Sequence, residues 1–388
     1  MKTLLFKKKV LVLLFFSFCF SYAARLDRPV DTSSLENQED SVITLMFCGD
    51  VMGHQPQIKA AYRPESDDYD YRICFEQVRP YIEAADVAVA NLEVPLAGKP
   101  YSGYPMFSSP DALLDALQYA GFDVILTANN HVADRAKKGL ERTIQQIDRR
   151  RLLRAGSYVN RQDRDSLYPL MIEKKAFKIA LLNCTYGSNG MPVTAPNLVN
   201  FIDTLQIRED VAEARRREAD FIVMCIHWGE EYRLSANSTQ RRLADFLARQ
   251  GVGLIVGAHP HVVQNREVLS GKDSLQVPVY YSLGNFISNQ RWKHSNGGIL
   301  LRADIHVPSA KILKTAYLPV YVHKGRFRGR YQYHLLPTTD YLRNPSFYAL
   351  SEPDSTELVF FDHSIRERLG EEGLMTEPPK LPEKLPER

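Results

Sequence analysis

The sequence predicts an α/β sandwich with mixed sheets. Short apolar runs rich in Val, Ile and Leu, without polar alternation, indicate strands that are buried on both faces. Through most of the chain these runs alternate with segments of helical periodicity. After about residue 277 the alternation weakens, and strand-like runs follow one another through short turns. This change predicts that antiparallel strands are added to the sheet, and therefore that the fold is not purely doubly wound.

Six of the strand candidates end at a short polar cluster. The carboxyl ends of such strands form the ligand site in open α/β sheets, so clusters that are far apart in sequence can meet at one place. We therefore expect a single site. The six runs are Ile43–Cys48, Val87–Ala90, Val124–Ala128, Phe221–Ile226, Leu254–Gly257 and Val277–Leu283.

Helical candidates lie between and after these runs. In the clearest of them Ser238 is a candidate N-cap, and Leu243, Phe246 and Leu247 have helical spacing. The candidates are Tyr71–Ala84, Asp111–Ala120, Lys138–Arg150, Ile207–Glu218, Ser238–Gln250 and Thr356–Leu369. The late strand candidates are Gly298–Ile305, Ile312–Val322 and Phe327–Leu336.

The first 24 residues have the pattern of an export signal. A basic start at Lys2 and Lys7–Lys9 precedes the apolar stretch Val10–Phe20 and a small-residue cleavage site. An uncleaved membrane anchor is the alternative, but the stretch is shorter than the ~20 residues of a spanning helix. We expect export to the periplasm or cell envelope, with membrane contact only through this signal or anchor. The expected organisation is a signal peptide over 1–24, a linker over 25–40, one domain over 41–345, a helical segment over 346–370 and a disordered tail over 371–388.

Composition excludes several classes of protein. With 388 residues, of which 44% are hydrophobic, the chain can bury a substantial core. Loss of the four lysines of the signal changes the formal net charge from +3 to about −1, which does not indicate nucleic-acid binding. The cysteines outside the signal lie in apolar runs or a helical candidate, so we interpret them as core residues. They are Cys48, Cys74, Cys184 and Cys225.

The segment His259-Pro260-His261 is the most specific local signal. Two imidazoles on either side of a residue with fixed φ leave a strand end in a defined geometry and can bind one metal ion or two adjacent ones. Two turn histidines bonded to backbone are the alternative. Asp50 supplies a carboxylate at a Gly-Asp turn, where a capping role competes with metal binding. Glu93 follows a buried run, where an ionised carboxylate needs a metal or a salt bridge.

The remaining clusters add an amide, two imidazoles and a carboxylate. Asn130 offers an amide oxygen to a cation, and His131 can act as an acid or base near neutral pH. Asp134 would lie on the same helix face as His131 and orient its ring, although charge complementation at a helix N-terminus competes with this role. His227 adds an imidazole at another strand end. The ligand set predicted for two metal ions with a shared carboxylate is Asp50, Glu93, Asn130, His227, His259 and His261.

These motifs, in this order, resemble those of the bacterial capsule-synthesis CapA family, which belongs to the calcineurin-like metallophosphoesterase superfamily. The resemblance runs from about Thr44 to Ile305. The motifs that carry it are Gly49–Met52, Asn91–Glu93, Asn129–Asp134, His227–Glu231, Gly257–Gln264 and Ser282–Phe286, and Thr185–Gly190 resembles the substrate-side loop of the family.

The resemblance implies a metallophosphoesterase-like αββα sandwich with mixed sheets and a site for two divalent ions, Mn, Fe or Zn. By the resemblance, His131 would protonate the leaving group. The first ion would be bound by Asp50 and His261 and the second by Asn130, His227 and His259, with Glu93 as the bridge. This chain has Met52 at the position where the superfamily has the histidine of its first motif. Methionine is a poor ligand for such ions, so one bound ion is the alternative to two. His54 is a candidate replacement, with a turn or surface role as the alternative.

Three functions stay open at this level. The first is a two-metal hydrolase linked to capsule, poly-γ-glutamate or envelope polymer synthesis or export. The second is a metal-dependent hydrolase or transferase acting on amides of γ-glutamyl or cell-wall polymers, with Glu230 or Glu231 as the base. The third is a non-catalytic polymer-binding assembly protein, suggested by Met52 and by aromatic and basic residues near the clusters. These residues are Trp228, Tyr232, Arg233, Arg291 and Trp292. The expected partner is an anionic envelope or capsule polymer. The substrate-side candidates are Tyr186, Asn189, Trp228, Glu230, Glu231 and Asn285.

Overall fold

Two mixed sheets form the centre of the protein. The computed structural model describes residues 41–290, 292–327 and 330–377, so the predicted signal, the linker and the end of the tail lie outside the described residues. The first sheet has the order β18-β17-β16-β1-β4-β5-β6, with β15 beside β1, and the second has the order β13-β14-β12-β11-β9-β8. The strands are β1 Val42–Val51, β2 Tyr62–Arg63, β3 Asp68–Tyr69, β4 Val87–Leu92, β5 Val124–Leu126, β6 Leu153–Ala155, β7 Ser157–Tyr158, β8 Leu170–Lys174, β9 Phe177–Thr185, β10 Leu198–Val199, β11 Phe221–His227, β12 Leu254–Ala258, β13 Arg266–Ser270, β14 Gln276–Tyr280, β15 Asn285–Ile287, β16 Gly297–His306, β17 Lys311–Phe327 and β18 Arg330–Pro337.

Each sheet combines parallel and antiparallel strands. Strands β1, β4, β5 and β6 are parallel, whereas β16, β17 and β18 add antiparallel strands on the other side of β1. In the second sheet β9, β11, β12 and β14 are parallel, with β8 and β13 antiparallel at the edges. The predicted α/β sandwich with mixed sheets is therefore confirmed, including the antiparallel addition after residue 277.

The helices connect the strands and cover the sheets. The helices are α1 Gln55–Ala61, α2 Arg79–Glu83, α3 Ala112–Tyr119, α4 Ala136–Arg149, α5 Arg161–Leu167, α6 Thr204–Arg216, α7 Ser238–Gln250, α8 Thr338–Arg343, α9 Pro345–Tyr348 and α10 Glu352–Leu369. Among the described residues no helix is both long enough and apolar enough to cross a membrane.

Strand β1 shows why its sequence lacks polar alternation. Leu45 and Phe47 belong to the core that lies between the two sheets, together with Val223 of β11. Met46 of the same strand belongs to a second core that it shares with Leu113 of α3. Because successive side chains of a strand point to opposite faces, both sets must be apolar when both faces are covered.

Two sequence predictions differ from the structure. The helix predicted over Tyr71–Ala84 is a short 3₁₀ turn at Arg72–Cys74 followed by α2. Pro80 lies in the first turn of α2, where its missing N–H is tolerated, and a continuous helix would place it in the interior. The start of the predicted disordered tail is ordered, because Tyr317 N–H donates to Gly373 O at 2.7 Å and Met375 N–H donates to Tyr317 O at 2.9 Å.

Candidate metal centre

The carboxyl end of β1 contacts the segment that joins β14 to β15. Asp50 N–H donates to Gly284 O at 2.9 Å, and a Cβ atom at position 49 would lie 1.9 Å from the same oxygen. Gly49 is required there because the backbone approach leaves no space for a side chain. Asp50 is fully buried by this contact.

The Asp50 carboxylate accepts hydrogen bonds from three neighbours, one on β4 and two in the segment after β12. Asn91 Nδ2 donates to Oδ1 at 2.8 Å, His261 Nδ1 lies 2.9 Å from Oδ2, and His259 N–H donates to Oδ2 at 3.4 Å. Burial raises the pKa of Asp50, but the interaction with His261, together with smaller contributions from His227 and Asn91, lowers this pKa to about 2. At neutral pH Asp50 is therefore ionised, the form that binds a cation.

Glu93 lies directly beyond β4 and is fully buried. Neither of its carboxylate oxygens has a hydrogen-bond partner among the described residues. Its Oε1 lies 3.5 Å from His227 Nε2 and 3.7 Å from His261 Nε2. Burial, followed by the charge of Asp50, raises the pKa of Glu93 well above its ordinary value. An unpartnered buried carboxylate is costly, so Glu93 has the environment of a metal ligand.

Each sheet contributes an imidazole or an amide to the same place. His227 ends β11 of the second sheet, and Asn130 follows β5 of the first. Asn130 Oδ1 lies 2.8 Å from His227 Nε2, and Asn130 Nδ2 donates to Asn189 Oδ1 at 3.3 Å. Burial and the charge of His259 lower the pKa of His227 well below its ordinary value. The ring is therefore neutral, as metal binding requires.

The backbone after β12 is left-handed at two residues that are not glycine. His259 has φ +100° and His261 has φ +58°. Non-glycine residues rarely adopt such angles, and backbone strain of this kind is concentrated at functional sites. His259 Nδ1 is buried without a hydrogen-bond partner among the described residues. Burial and the charge of His261 lower the pKa of His259 to about 3, so this ring is also neutral.

The donor atoms form two buried groups that share Glu93. The first group is Asp50, Glu93 and His261, and the second is Glu93, His227 and His259. Within each group the donor atoms lie within 4.8 Å of one another. The unpartnered Glu93 oxygens and His259 Nδ1, together with the mixture of carboxylate and imidazole donors, fit borderline divalent ions such as Mn, Fe or Zn.

His131 and Asp134 lie beside these groups in contact with each other. His131 Nδ1 is 2.9 Å from Asp134 Oδ2, and Asp134 also accepts from Phe107 N–H at 2.8 Å. The prediction that they share a helix face is wrong, because residues 130–135 form turns and α4 begins at Ala136. The turn places the two side chains together all the same, with Asp134 N–H donating to His131 O at 3.1 Å.

The predicted substrate-side residues fall into two sets. Tyr186 is 46% exposed, and its ring centroid lies 4.6 Å from that of His259. Asn189 lies beside it, and Tyr186 Oη donates to Asn189 Oδ1 at 3.5 Å. Glu231 is exposed and forms a third donor group with His259 and His261. These three residues line the accessible side of the centre.

The other three predicted substrate contacts form hydrogen bonds within the protein. Trp228 is 2% exposed and its Nε1 donates to Tyr281 O at 2.9 Å, which does not fit a substrate contact. Asn285 is fully buried, its Oδ1 lies 3.1 Å from His261 Nδ1, and it therefore positions this ring. Glu230 accepts from Asn237 Nδ2 at 3.0 Å on the outer loop.

Two functional residues were not among the predicted site residues. Asn91 donates to Asp50 and its Oδ1 is buried without a partner among the described residues. Its signal in the sequence is its place in the same polar cluster as Glu93. Phe107 is fully buried and its ring centroid lies 4.7 Å from that of His131 in an edge-to-face contact. No sequence signal indicates Phe107, because it lies far from any strand end.

His54 does not join any of the donor groups of His, Cys, Asp and Glu among the described residues, and Met52 lies in the core. Met52 is 1% exposed and belongs to an apolar core. His54 is the N-cap of α1, and its Nδ1 lies 3.1 Å from Gln57 Oε1. The candidate replacement of the missing ligand by His54 is therefore not supported by its position.

The half-buried ring of His54 gives a testable dependence of stability on pH. Burial lowers the pKa of His54 to about 4, below the value of ~6.5 in an unfolded chain. Between these values the unfolded chain binds a proton and the folded one does not, so stability falls as the pH decreases from 6.5 to 4. We expect His54→Gln to reduce this loss by on the order of 2 kcal/mol in urea unfolding at pH 7.5 and 4.5. Exposed His363→Gln is the control, and equal losses in all three proteins would contradict the expectation.

A two-sheet α/β protein with a buried centre of carboxylates and histidines is the class that fold and site define. Residues 44–290 match the family described as bacterial capsule synthesis protein PGA_cap. Because the match covers more than half of the chain, the protein belongs to this family.

Two relatives and two solved structures are similar to this chain over most of its length. Capsule biosynthesis protein CapA of Bacillus anthracis is 24% identical over 312 residues, covering 78% of this chain and 73% of that protein. PGA biosynthesis protein CapA of Bacillus subtilis is 25% identical over 315 residues, covering 79% and 78%. A phosphatase of Mycoplasma pneumoniae has a TM-score of 0.44 at 16% identity, covering 72% of this chain and 94% of that chain. NAD nucleotidase of Haemophilus influenzae has a TM-score of 0.48 at 10% identity, covering 87% and 64%.

Proposed function

We propose that this protein is an exported two-metal hydrolase of the phosphoesterase type that acts in the synthesis or export of a capsule or other envelope polymer. The observation that supports this most directly is the sharing of Glu93 by two buried donor groups. Membership of the capsule synthesis family supports the link to an envelope polymer.

The residues at this site would bind two cations in separate groups. Asp50 and His261 would hold one cation and His227, His259 and Asn130 the other, with Glu93 between them. Cations bound there would activate water as Lewis acids and neutralise the negative charge on the phosphoryl oxygens. The group with Asn130 offers four donors and the group with Asp50 three, so the Asp50 position is the weaker one.

His131 is the residue placed to move a proton. Its Nδ1 is held by Asp134, so Nε2 is the ring atom that can protonate a leaving oxygen. Its charge contributes to the lowered pKa of both His227 and His259, which places it within electrostatic reach of the centre. The edge contact from Phe107 fixes the plane of the ring.

The proposal is tested by metal content and turnover in the same preparation. The full-length protein is loaded with Mn²⁺ or Zn²⁺ and assayed on nitrophenyl phosphomonoesters and phosphodiesters, alongside poly-γ-glutamate and peptidoglycan fragments. We expect two bound ions per chain and metal-dependent release of nitrophenol. His259→Ala should lose at least one ion and most of the turnover, whereas exposed His363→Ala should keep both.

Three results would overturn the proposal in different ways. Cleavage of the amide polymers without phosphoester hydrolysis would assign an amide hydrolase, with Glu231 beside His259 and His261 as its base. Metal binding without turnover on any substrate would assign an assembly protein. Unchanged metal content in His259→Ala would reject the centre itself.

A further inference from the structure

A cavity of about 530 Å³ lies between β17, α10 and the segment that joins β15 to β16. The donor groups of the metal centre are not part of its lining. Its size suits one or two sugar or amino-acid units of a larger molecule. The lining residues that matter here are Gln290, Trp292, Lys293, Asp354, Glu357 and Phe360.

Two sets of contacts connect this cavity to the metal centre. Gln290 Oε1 accepts from Asn285 Nδ2 at 2.9 Å, and Asn285 Oδ1 lies 3.1 Å from His261 Nδ1. Along a second line, the ring centroid of Trp292 lies 5.7 Å from that of Tyr232, which lies 6.2 Å from that of His261. A molecule bound in the cavity could therefore extend over Tyr232 to the metal centre.

The lining combines exposed rings with charges of both signs. Trp292 is 65% exposed and Phe360 is 44% exposed. The Lys293 ammonium lies 5.2 Å from the centre of the Phe360 ring. Opposite charge comes from Asp354, which lies 3.5 Å from His323 Nε2, and from Glu357, which accepts from Asn296 at 3.4 Å.

This combination fits a sugar better than a polyanion or an apolar chain. The carboxylates of Asp354 and Glu357 offset the two lysines of the wall, Lys293 and Lys324, so the wall has no excess of positive charge that would favour a polyanion. Its polar groups disfavour a purely apolar occupant. A sugar ring presents C–H groups that pack on aromatic faces, and hydroxyls that donate to carboxylates and accept from amides or ammonium groups. The paired carboxylates keep acceptor capacity for such hydroxyls.

We propose that this cavity is a glycan-binding subsite, which holds an uncharged sugar unit of a polymer or lipid-linked chain whose reacting bond lies at the metal centre. Sugar binding itself depends only on the cavity. The statement about the reacting bond rests on the proposed hydrolase function. The proposal differs from the sequence-based expectation of an anionic polymer as the partner, because the cavity wall carries both signs of charge.

The test measures binding without turnover, on full-length protein stripped of metal with EDTA. Isothermal titration with millimolar chitohexaose and maltohexaose should detect binding of at least one of them. Trp292→Ala and Phe360→Ala should each weaken that binding roughly tenfold, since each removes one stacking face. Phe347→Ala is the matched control, because Phe347 is 68% exposed but does not line the cavity.

The outcomes separate this proposal from the hydrolase function. No binding of either hexaose, or equal binding by wild type and both cavity variants, would overturn the subsite. Binding of poly-γ-glutamate that is lost in Trp292→Ala, without hexaose binding, would replace it with a polyanion site. Hexaose binding that depends on Trp292 in a protein without phosphoesterase activity would support the subsite and reject only the hydrolase. Because Trp292 and Phe360 are exposed, their replacement leaves the core intact, and equal melting temperatures verify this.

Discussion

Glu93→Gln is expected to make the metal-stripped protein more stable while removing most of its stabilisation by metal. Glu93 is fully buried, and neither of its oxygens has a hydrogen-bond partner among the described residues. Replacing this buried carboxyl group by a neutral amide of the same shape removes the cost of suppressing its ionisation, and should raise the free energy of unfolding in EDTA by about 1–3 kcal/mol. The amide cannot bridge two cations as a carboxylate does, so the gain on adding Mn²⁺ should be lost.

The expected gain of Glu93→Gln depends on pH with a definite sign. Burial and the charge of Asp50 raise the pKa of Glu93, whereas its unfolded value is ~4.3. Above pH 4.3 the unfolded chain has released this proton and the folded one retains it, so the metal-stripped wild type loses stability as the pH rises through this window. The advantage of the Gln variant should therefore be larger at pH 8 than at pH 5.

The measurement is chemical unfolding in EDTA and in Mn²⁺. A ligand at a hundred times its dissociation constant stabilises a protein by about 2.7 kcal/mol, which is the difference expected for wild type and absent in the variant. Exposed Glu173→Gln serves as the control and should behave as wild type. A Gln variant that is less stable than wild type in EDTA would show that the Glu93 charge is satisfied within the protein.

The sequence predicts the strands of the site better than their arrangement. The run that ends at Asp50 and the run that ends at His227 are both recognisable, because both faces of their strands are covered. Strands that are buried on both faces have similar compositions, so the sequence does not indicate to which sheet each strand belongs. Strand ends converge on one site within a single open sheet, whereas Asp50 and His227 come from two sheets. The predicted run Val277–Leu283 ends at Tyr280, and the chain then crosses to β15 of the first sheet.

The spacing of residues in the sequence does not predict which side chains of the site are exposed. Trp228, Glu230 and Glu231 are neighbours in one motif, yet Trp228 is buried against Tyr281 and Glu231 faces the histidines. The difference arises after β11, where Gly229 has φ +93° and reverses the backbone. The sequence also does not predict the cavity beside α10, because residues about 70 positions apart, such as Trp292 and Phe360, form its wall.

His131→Ala is expected to reduce kcat by roughly 10²–10⁴ while leaving metal content unchanged. His131 is outside the donor groups found among the described residues, and its contacts are with Asp134 and Phe107. A loss of this size without a loss of metal would separate proton transfer from metal binding. Asp134→Asn should cost less, about 10–100-fold, because it weakens the orientation of the ring and leaves the ring in place.

The leaving group decides whether His131 acts as the acid. Nitrophenolate leaves without a proton, whereas an alkoxide of high pKa needs one, so the loss in His131→Ala should be much larger for an alkyl phosphoester than for a nitrophenyl ester. Asp134→Asn should also lose more turnover on the alkyl ester than on the nitrophenyl ester, with smaller losses on both. Exposed His363→Ala should lose turnover on neither ester. Equal losses on both esters would assign His131 to positioning of substrate or water. The contrast is informative because both esters have the same phosphoryl group at the metal centre, so a change in metal chemistry would affect them alike.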